Sequence, residues 1–573
     1  MRIALAQINT TVGDLNGNRE RIVSAIGDAR RLGADLVAFP EMAITGYPAE
    51  DLLLQPDFVR EAGSVLDEIV LMTTGLTAII GAPLCDGNVY NSAAVMHDGR
   101  LAVVYRKQWL PTYGVFDETR YFLPAASNLT FKLGETVFGV SICEDIWYPD
   151  GPPHLQANEG GATLLINISA SPYHINKGEV RERMLATRAA DTLTFVAYCN
   201  LVGGQDELVF DGQSMIFGPQ GEILARAAQF TEDMLVADID TLEVLRARLV
   251  DRRRSSAGRS RFEQVSLAQV ATRSKRPLHP CLKAPLARAA ESYEALKLAT
   301  RDYVLKNGFH KVVLGLSGGI DSSLVAAIAA DALGPENVTG VAMPTRYSSE
   351  HSIEDARQLA DNFGLHFLTI PIDATFESFL QMLAPACGEI RGLPEENIQP
   401  RIRGTVLMAL SNHFGWLVLT TGNKSENSVG YSTLYGDTAG GFAVIKDVSK
   451  MLVYELARHR NQIAGHDVIP ERVLTKAPSA ELRPDQKDSD SLPEYEVLDP
   501  ILRAYVEERC SAEEIVLRGF ASDVVARVIR LVQISEYKRR QSPPGVKITP
   551  RAFGKDWRLP ITKSIARATH RAG

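Results

Sequence analysis

The apolar positions of this chain follow two rhythms in succession. In the first 245 residues or so, short apolar runs recur at 3–8, 36–39, 78–81, 93–97, 137–143, 163–168 and 195–200. Each is brief and bounded by turn-forming residues, which predicts buried strands. Between some of them, over 18–32 and 179–192, apolar residues return at helical spacing. Several strands joined by turns, with helices among them, point to an α/β sandwich. From Leu286 the rhythm becomes helix, strand, helix, strand over 286–307, 311–316, 322–333, 338–343, 350–363 and 366–370, which predicts a doubly wound parallel sheet. Between the halves, Arg252-Arg253-Arg254-Ser255-Ser256 and the prolines 277, 280 and 285 break both patterns. They predict a linker, with a short helix near 266–271. The expected domains are therefore 1–250, a linker 251–285, 286–545, and a basic, proline-containing tail or peripheral cap over 546–573.

Composition narrows the class. The 573 residues are 45% hydrophobic and mean hydropathy is −0.05, as in a soluble globular chain of several domains. A net charge of −8 and a pI near 5.9 argue against a broad basic face, so no nucleic-acid partner is expected. No run of about twenty apolar residues predicts a membrane span, and no signal-peptide pattern follows the first strand. The six cysteines show no Cys-x-x-Cys pairing and the histidines no metal-ligand spacing, as expected of free thiols in the cytoplasm.

One string carries chemistry almost by itself. Gly315-Leu316-Ser317-Gly318-Gly319-Ile320-Asp321-Ser322-Ser323 joins an apolar strand to a helical pattern. Glycines let the backbone approach an anion, and the free N–H groups opening the helix point at it. The string lacks the Gly-Lys-Ser/Thr ending of a Walker A loop. Ser317 and Ser322 add hydroxyl donors. Asp321 repels phosphate unless a cation lies between them, which implies Mg²⁺.

A second set lies in the front half: Glu41 in Phe39-Pro40-Glu41, Lys107 in Tyr105-Arg106-Lys107, and Cys143 in Ser141-Ile142-Cys143-Glu144. Each alone reads as a loop acid, a surface lysine and a core cysteine. Together they meet the needs of carboxamide cleavage: a thiol nucleophile, a carboxylate that takes and returns its proton, and a cation near the oxyanion. Lys107 is expected to lower the pKa of Cys143.

With these residues the front half resembles the nitrilase (carbon–nitrogen hydrolase) family, with its Glu-Lys-Cys triad on Glu41, Lys107 and Cys143. The back half resembles the N-type ATP pyrophosphatases, whose Ser-Gly-Gly-x-Asp-Ser signature falls on Ser317–Ser322. Their fusion in this order is similar to the glutamine-dependent NAD⁺ synthetase family. The resemblance implies an α-β-β-α sandwich in front and an adenine-nucleotide-binding doubly wound sheet behind. It implies a ligase that amidates deamido-NAD⁺ with ammonia from L-glutamine, using ATP and Mg²⁺ in a homo-oligomer. It places glutamine on Tyr113, Ser171 and Lys177, with Glu118 orienting Lys107. ATP falls on Gly315, Leu316, Ser317, Gly318, Gly319, Ile320, Asp321, Ser322, Thr421, Lys450 and Ser479. The metal falls on Asp321 and Glu426. Deamido-NAD⁺ falls on Asn397, Arg401, Glu426, Tyr537 and Lys538, with Arg403 as a further candidate. Leu434 departs from the pattern, since ammonia-dependent synthetases carry a lysine there. Two rivals stay open at this point: a related enzyme that amidates or thiolates another nucleotide or a tRNA, and an inactive front half kept as a scaffold.

Overall fold

The computed structural model describes residues 1–251, 262–268, 275, 277–278, 281–484 and 486–564. The chain divides into two compact units: Met1–Gln205 with Val209–Leu286, and the remainder from Ala287 with Asp206–Leu208.

The front unit holds two large sheets. One runs in spatial order through Asp233–Asp238, Arg2–Gln7, Leu36–Ala38, Thr77–Asp86, Asn88–His97 and Arg100–Arg106. The other runs through Ile223–Arg226, Met215–Phe217, Phe195–Asn200, Leu164–Ser169, Thr136–Ile142, Leu129–Leu133 and Glu263–Leu267. Successive strand residues point to opposite faces, and here both faces are covered. Ile3, Leu5, Ile79 and Val95 of the first sheet meet Phe138, Val140, Ile166 and Ala197 of the second in one core. Ala4, Ala6, Ile80 and Met96 on the opposite face pack against helices Leu15–Arg31 and Pro56–Val70 through Ile22, Ile26, Val65 and Ile69. Leu165, Val196 and Tyr198 on the outer face of the second sheet meet helix Lys177–Thr192 through Leu185 and Ala189. The layers are thus helix, sheet, sheet, helix, and double burial is why the strands read as unbroken apolar runs.

The expected helix near 266–271 is not formed at its start. Ser266 and Leu267 end the strand Glu263–Leu267, which adds in parallel to Leu129–Leu133. Val265 and Leu267 pack against the inter-sheet core while Gln264 and Ser266 alternate with them, a period of two rather than of a helix. Residues 269–271 lie outside the described residues, as does the run Arg252–Arg254.

In the second unit a five-stranded sheet has the spatial order His366–Thr369, Val338–Ala342, Val312–Gly315, Leu417–Thr420, Phe442–Ala443. Every pairing is parallel. The chain starts at the middle strand, builds outward to one side, then returns to build the other. The switch point lies between Val312–Gly315 and Leu417–Thr420, so the loops leaving those strands flank a crevice. Val313, Val341 and Val418 pack on Phe376, Ile402 and Leu407 of helices Asp373–Cys387 and Leu393–Phe414. Helix Ile320–Leu333 is almost wholly buried. A further cluster gathers Leu498, Ile501, Val525, Val528 and Val532. Part of the segment read as a tail joins this interior: Val546 and Ile548 are fully buried, and Phe553 and Trp557 enter the helical cluster.

Candidate active sites

Three strands of the front unit deliver their following residues to one place. Glu41 lies just past Leu36–Ala38, Lys107 directly follows Arg100–Arg106, and Cys143 directly follows Thr136–Ile142. All three are buried. Lys107 Nζ donates to Glu41 Oε1 and to Glu118 Oε1, both at 2.8 Å. Glu41 also accepts from Asn91 Nδ2 at 2.7 Å and from the Ala170 backbone N–H at 3.0 Å. Tyr47 donates its hydroxyl to Glu118 at 3.0 Å. Gly81 makes room for the Glu41 loop: a Cβ there would sit 2.4 Å from the Met42 nitrogen and 2.7 Å from the Glu41 Cα.

The charges follow from this packing. Burial opposes the Lys107 ammonium, but Glu118, Glu41 and Cys143 outweigh it and hold the group well above the usual lysine range. Burial raises Glu118 to about 7 against the pull of Lys107. The expectation that Lys107 lowers the pKa of Cys143 holds for its own share only. Burial, reinforced by Glu41, Glu144 and Glu118, pushes the thiol well up. The resting sulfur therefore carries its proton, and nucleophilic attack needs a base beside it.

Cys143 opens a short turn, Cys143–Ile146, with φ of 42°, a conformation that costs a non-glycine residue roughly 1–3 kcal/mol. Asp145 holds this turn to the lysine strand. Its Oδ2 accepts from Tyr105 Oη at 2.8 Å and the Ile142 N–H at 3.0 Å; its Oδ1 accepts from the N–H groups of Gln108 at 3.1 Å and Trp109 at 2.9 Å.

The residues expected to hold glutamine gather around the same turn. Tyr113 donates its hydroxyl to Glu144, at 2.9 and 3.0 Å from the two carboxylate oxygens. Ser171 is buried, its N–H on Asn200 Oδ1 at 3.0 Å. Lys177 opens its helix with Nζ 4.4 Å from the centre of the Trp147 ring. Burial and then Arg181 lower its pKa, while Cys143 and Glu144 pull it back up. Trp109 stacks on Tyr148 with ring centres 4.1 Å apart.

In the second unit, a cavity of about 590 Å³ opens at the switch point. Gly315 to Ser322 line it, with Asn397, Arg401, Arg403, Thr421, Glu426, Leu434, Lys450, Ser479, Tyr537 and Lys538. Every residue singled out in the back half thus reaches one space. Gly318 has φ of 76°, and a Cβ on it would lie 2.1 Å from the Ser352 carbonyl oxygen, so only glycine fits this turn. Ser317 and Ser322 bring their hydroxyls within 3.1 Å of each other. Lys450 Nζ bridges Asp321 Oδ2 at 2.5 Å and Glu426 Oε1 at 3.2 Å. Asn423 fixes both acids, donating to Asp321 Oδ1 at 2.9 Å and accepting from the Glu426 N–H at 3.0 Å. Burial raises Glu426 to about 8, opposed by Lys450 and aided by Asp321 and Asp488. Three other lining cations rest on neutral oxygens. Arg401 donates to Leu434 O at 3.2 Å, Arg403 to Met343 O at 3.1 Å, and Lys538 to Gly430 O at 2.8 Å and Ser432 O at 2.7 Å. Burial lowers Arg403 to about 10. Asn397 accepts from Thr433 Oγ1 at 2.7 Å and Ser479 donates to Gln486 O at 2.5 Å.

A family model described as carbon–nitrogen hydrolase matches residues 2–248, and one described as NAD synthase matches residues 292–542. The glutamine-dependent NAD(+) synthetase of Aquifex aeolicus (strain VF5) is 49% identical over 568 residues, 99% of this chain and 100% of that one. The chain belongs to the glutamine-dependent NAD(+) synthetases. The solved structure of the Acinetobacter baumannii synthetase in complex with ADP aligns with a TM-score of 0.73 at 42% identity, over 98% of both chains. The synthetase of Cytophaga hutchinsonii, at 24% identity and a TM-score of 0.81, shares the fold over 98% of both chains.

Some residues of this synthetase site carried no sequence signal. Asn91, Tyr47 and Asn423 act through partners far along the chain, and Asp488 Oδ2 accepts from the Tyr495 hydroxyl at 2.9 Å. Asp145 and Glu144 could have been found by their place beside Cys143, since acids that follow a buried nucleophile on a tight turn must themselves be partnered.

Proposed function

We propose that the chain makes NAD⁺ from deamido-NAD⁺, with ATP as the activating co-substrate and L-glutamine as the nitrogen source. The observation that carries this reading is the coexistence, in one chain, of a buried Glu41–Lys107–Cys143 cluster and a phosphate-loop cavity that gathers the whole of the second residue set. In the front unit Glu41 takes the Cys143 proton as sulfur attacks the glutamine carboxamide, and returns it to the departing ammonia. Lys107 stays charged throughout and faces the developing oxyanion. Glu118 orients Lys107. Tyr113, Ser171 and Lys177 hold the amino-acid end of glutamine, and water then frees glutamate from the thioester.

In the second unit the substrate carboxylate attacks the α-phosphorus of ATP and pyrophosphate leaves. Ammonia then displaces AMP from the acyl-adenylate. The N–H groups of Gly318 and Gly319, with Ser317 and Ser322, hold phosphate. Thr421, Lys450 and Ser479 complete the ATP site. Asn397, Arg401, Tyr537 and Lys538 face deamido-NAD⁺, with Glu426 and the nearby Arg403. Asp321 and Glu426 converge on the Lys450 ammonium, and two carboxylates that leave the other positions to water and phosphate would hold Mg²⁺. When bound, Mg²⁺ neutralises charge gathering on the phosphate oxygens. Freed ammonia passes to the second site in preference to escaping, and the working form is a homo-oligomer. All six cysteines are free thiols, and no helix of the described residues is long and apolar enough to cross a membrane; we place the reaction in the cytoplasm.

Product analysis with glutamine, ATP, Mg²⁺ and deamido-NAD⁺, omitting each in turn, tests the reading: AMP should form only when deamido-NAD⁺ is present. A Cys143→Ala chain should lose NAD⁺ formation from glutamine and keep it with ammonium salts. Normal glutamine-dependent rates in that variant would refute the assignment of the thiol.

A further inference from the structure

We infer that Lys476 is a catalytic residue of the second site: its ammonium leaves Glu481 and binds the pyrophosphate that departs from ATP. This rests on the amidation reading above and deepens it. Among the cavity-lining cations, Lys450 is engaged by Asp321 and Glu426, while Arg401, Arg403 and Lys538 donate to backbone carbonyls. Lys476 also lines the cavity, and its contacts are of another kind. Nζ lies 2.5 Å from Ser352 Oγ and 2.7 Å from Glu481 Oε1. Both partners of this ion pair are partly accessible, at 31% and 21% of their side-chain surface, so exchanging one anion for another carries no deep desolvation cost.

The anchor of this pair touches the phosphate loop. Ser352 presents its carbonyl oxygen to Gly318 so closely that no Cβ fits between them. Ser352 lies in the first turn of helix Glu350–Phe363, its N–H donating to the Oγ of the capping Ser349. Glu481 accepts from the hydroxyls of Ser349 and Ser352, at 3.2 and 2.7 Å. A lysine head is therefore parked one residue from the turn that cradles phosphate. It sits on the segment that also carries Ser479, and is held by a carboxylate whose other bonds do not depend on it. When the substrate carboxylate forms its bond to the α-phosphorus, the bond from that phosphorus to the bridging oxygen breaks. The electron pair leaves on pyrophosphate, and no proton moves. The loop N–H groups carry only partial charge and Lys450 is tied to Asp321 and Glu426, so beyond the Mg²⁺ those acids would hold, a mobile full cation further stabilises this new negative charge.

The test uses the full chain with ammonium chloride as nitrogen donor, so that the thiol site is bypassed. Lys476→Met should lower the rate at saturating ATP by about 100-fold or more and weaken product inhibition by inorganic pyrophosphate about tenfold. Lys476→Arg should restore the rate to within about tenfold, since guanidinium also binds phosphate. Glu481→Gln, which frees the lysine, should lower the KM for ATP. A Lys476→Met chain with a wild-type rate and wild-type pyrophosphate inhibition would overturn the proposal while the amidation reading stands. So would a loss that Lys476→Arg fails to restore, which marks a purely structural role. A wild-type chain that makes no NAD⁺ under these conditions would overturn both.

Discussion

Replacing Asp145 with Asn should disable the thiol site while leaving the second site intact. The carboxylate accepts four hydrogen bonds, two on each oxygen, and is fully buried. An amide keeps one accepting oxygen and turns an NH₂ donor toward the other pair. Two bonds to a charged acceptor, each worth about 1.5–3 kcal/mol, are lost, and the local penalty comes to roughly 3–6 kcal/mol. That penalty falls on one of two places, according to which way the amide turns: the N–H of Ile142, immediately before the strained Cys143, or the N–H pair of Gln108 and Trp109, immediately after Lys107. A shift of about 1 Å between nucleophile and cation lowers a rate by roughly 100-fold. Glutamine-dependent kcat/KM should therefore fall by about two orders of magnitude, while ammonium-dependent NAD⁺ formation by the same preparation stays near that of the unaltered chain. Steady-state rates with the two nitrogen donors, measured side by side, decide it. An Asp145→Asn chain that uses glutamine within about threefold of the parent would refute the claim that this carboxylate sets the spacing.

Two further outcomes can be read from the front unit. Gly81→Ala should drive the Glu41 loop away from Lys107, because a Cβ there lies within 2.7 Å of that loop's backbone; glutaminase rates should drop at least tenfold, and normal rates would mean the loop yields freely. Burial of Glu118 gives the opposite sign to a stabilising surface carboxylate. Its pKa rises from 4.5 unfolded to about 7 folded, so its contribution is full below pH 4.5 and is withdrawn as pH climbs through about 7. Of this, roughly 1 kcal/mol is lost between pH 6 and pH 8. Hydrogen exchange at the Lys107 amide, which donates to Asn91 O at 2.8 Å, should show that loss in the parent chain and a flatter pH response in Glu118→Gln.

How much of this was open to sequence reasoning depended on whether a residue's task is local. Phosphate loops are local patterns, so the Gly315 to Ser323 string could be read directly; Glu41, Lys107 and Cys143 were each ambiguous alone and became legible only as a set and through the family resemblance. The central strands of both front-unit sheets were legible as apolar runs because they are covered on two faces, whereas Arg100–Arg106, Leu129–Leu133, Met215–Phe217, Ile223–Arg226 and Asp233–Asp238 beside them were not read. The strand Glu263–Leu267 was not, since Val265 and Leu267 alternate with polar residues on an exposed edge amid linker-like composition. The sign of the net shift at Cys143 was also hidden. Lys107 is close enough to lower it, yet burial and three carboxylates from distant segments prevail. The bridge of Lys450 between Asp321 and Glu426 and the contact of Lys476 with Ser352 likewise depend on which loops meet, and residue types alone do not say so.

The aromatic rim of the thiol site has a practical consequence. Of four tryptophans in the chain, Trp109 follows Lys107 and Trp147 follows Cys143 within a few residues, one stacked on Tyr148 and the other under the Lys177 ammonium. Trp416 stacks on Phe414 and Trp557 is buried among C-terminal helices, both in the other unit. Half of the indoles thus lie in segments that follow the residues of a single centre, so tryptophan emission should change when glutamine arrives there, readable by stopped-flow without a dye or a coupled assay.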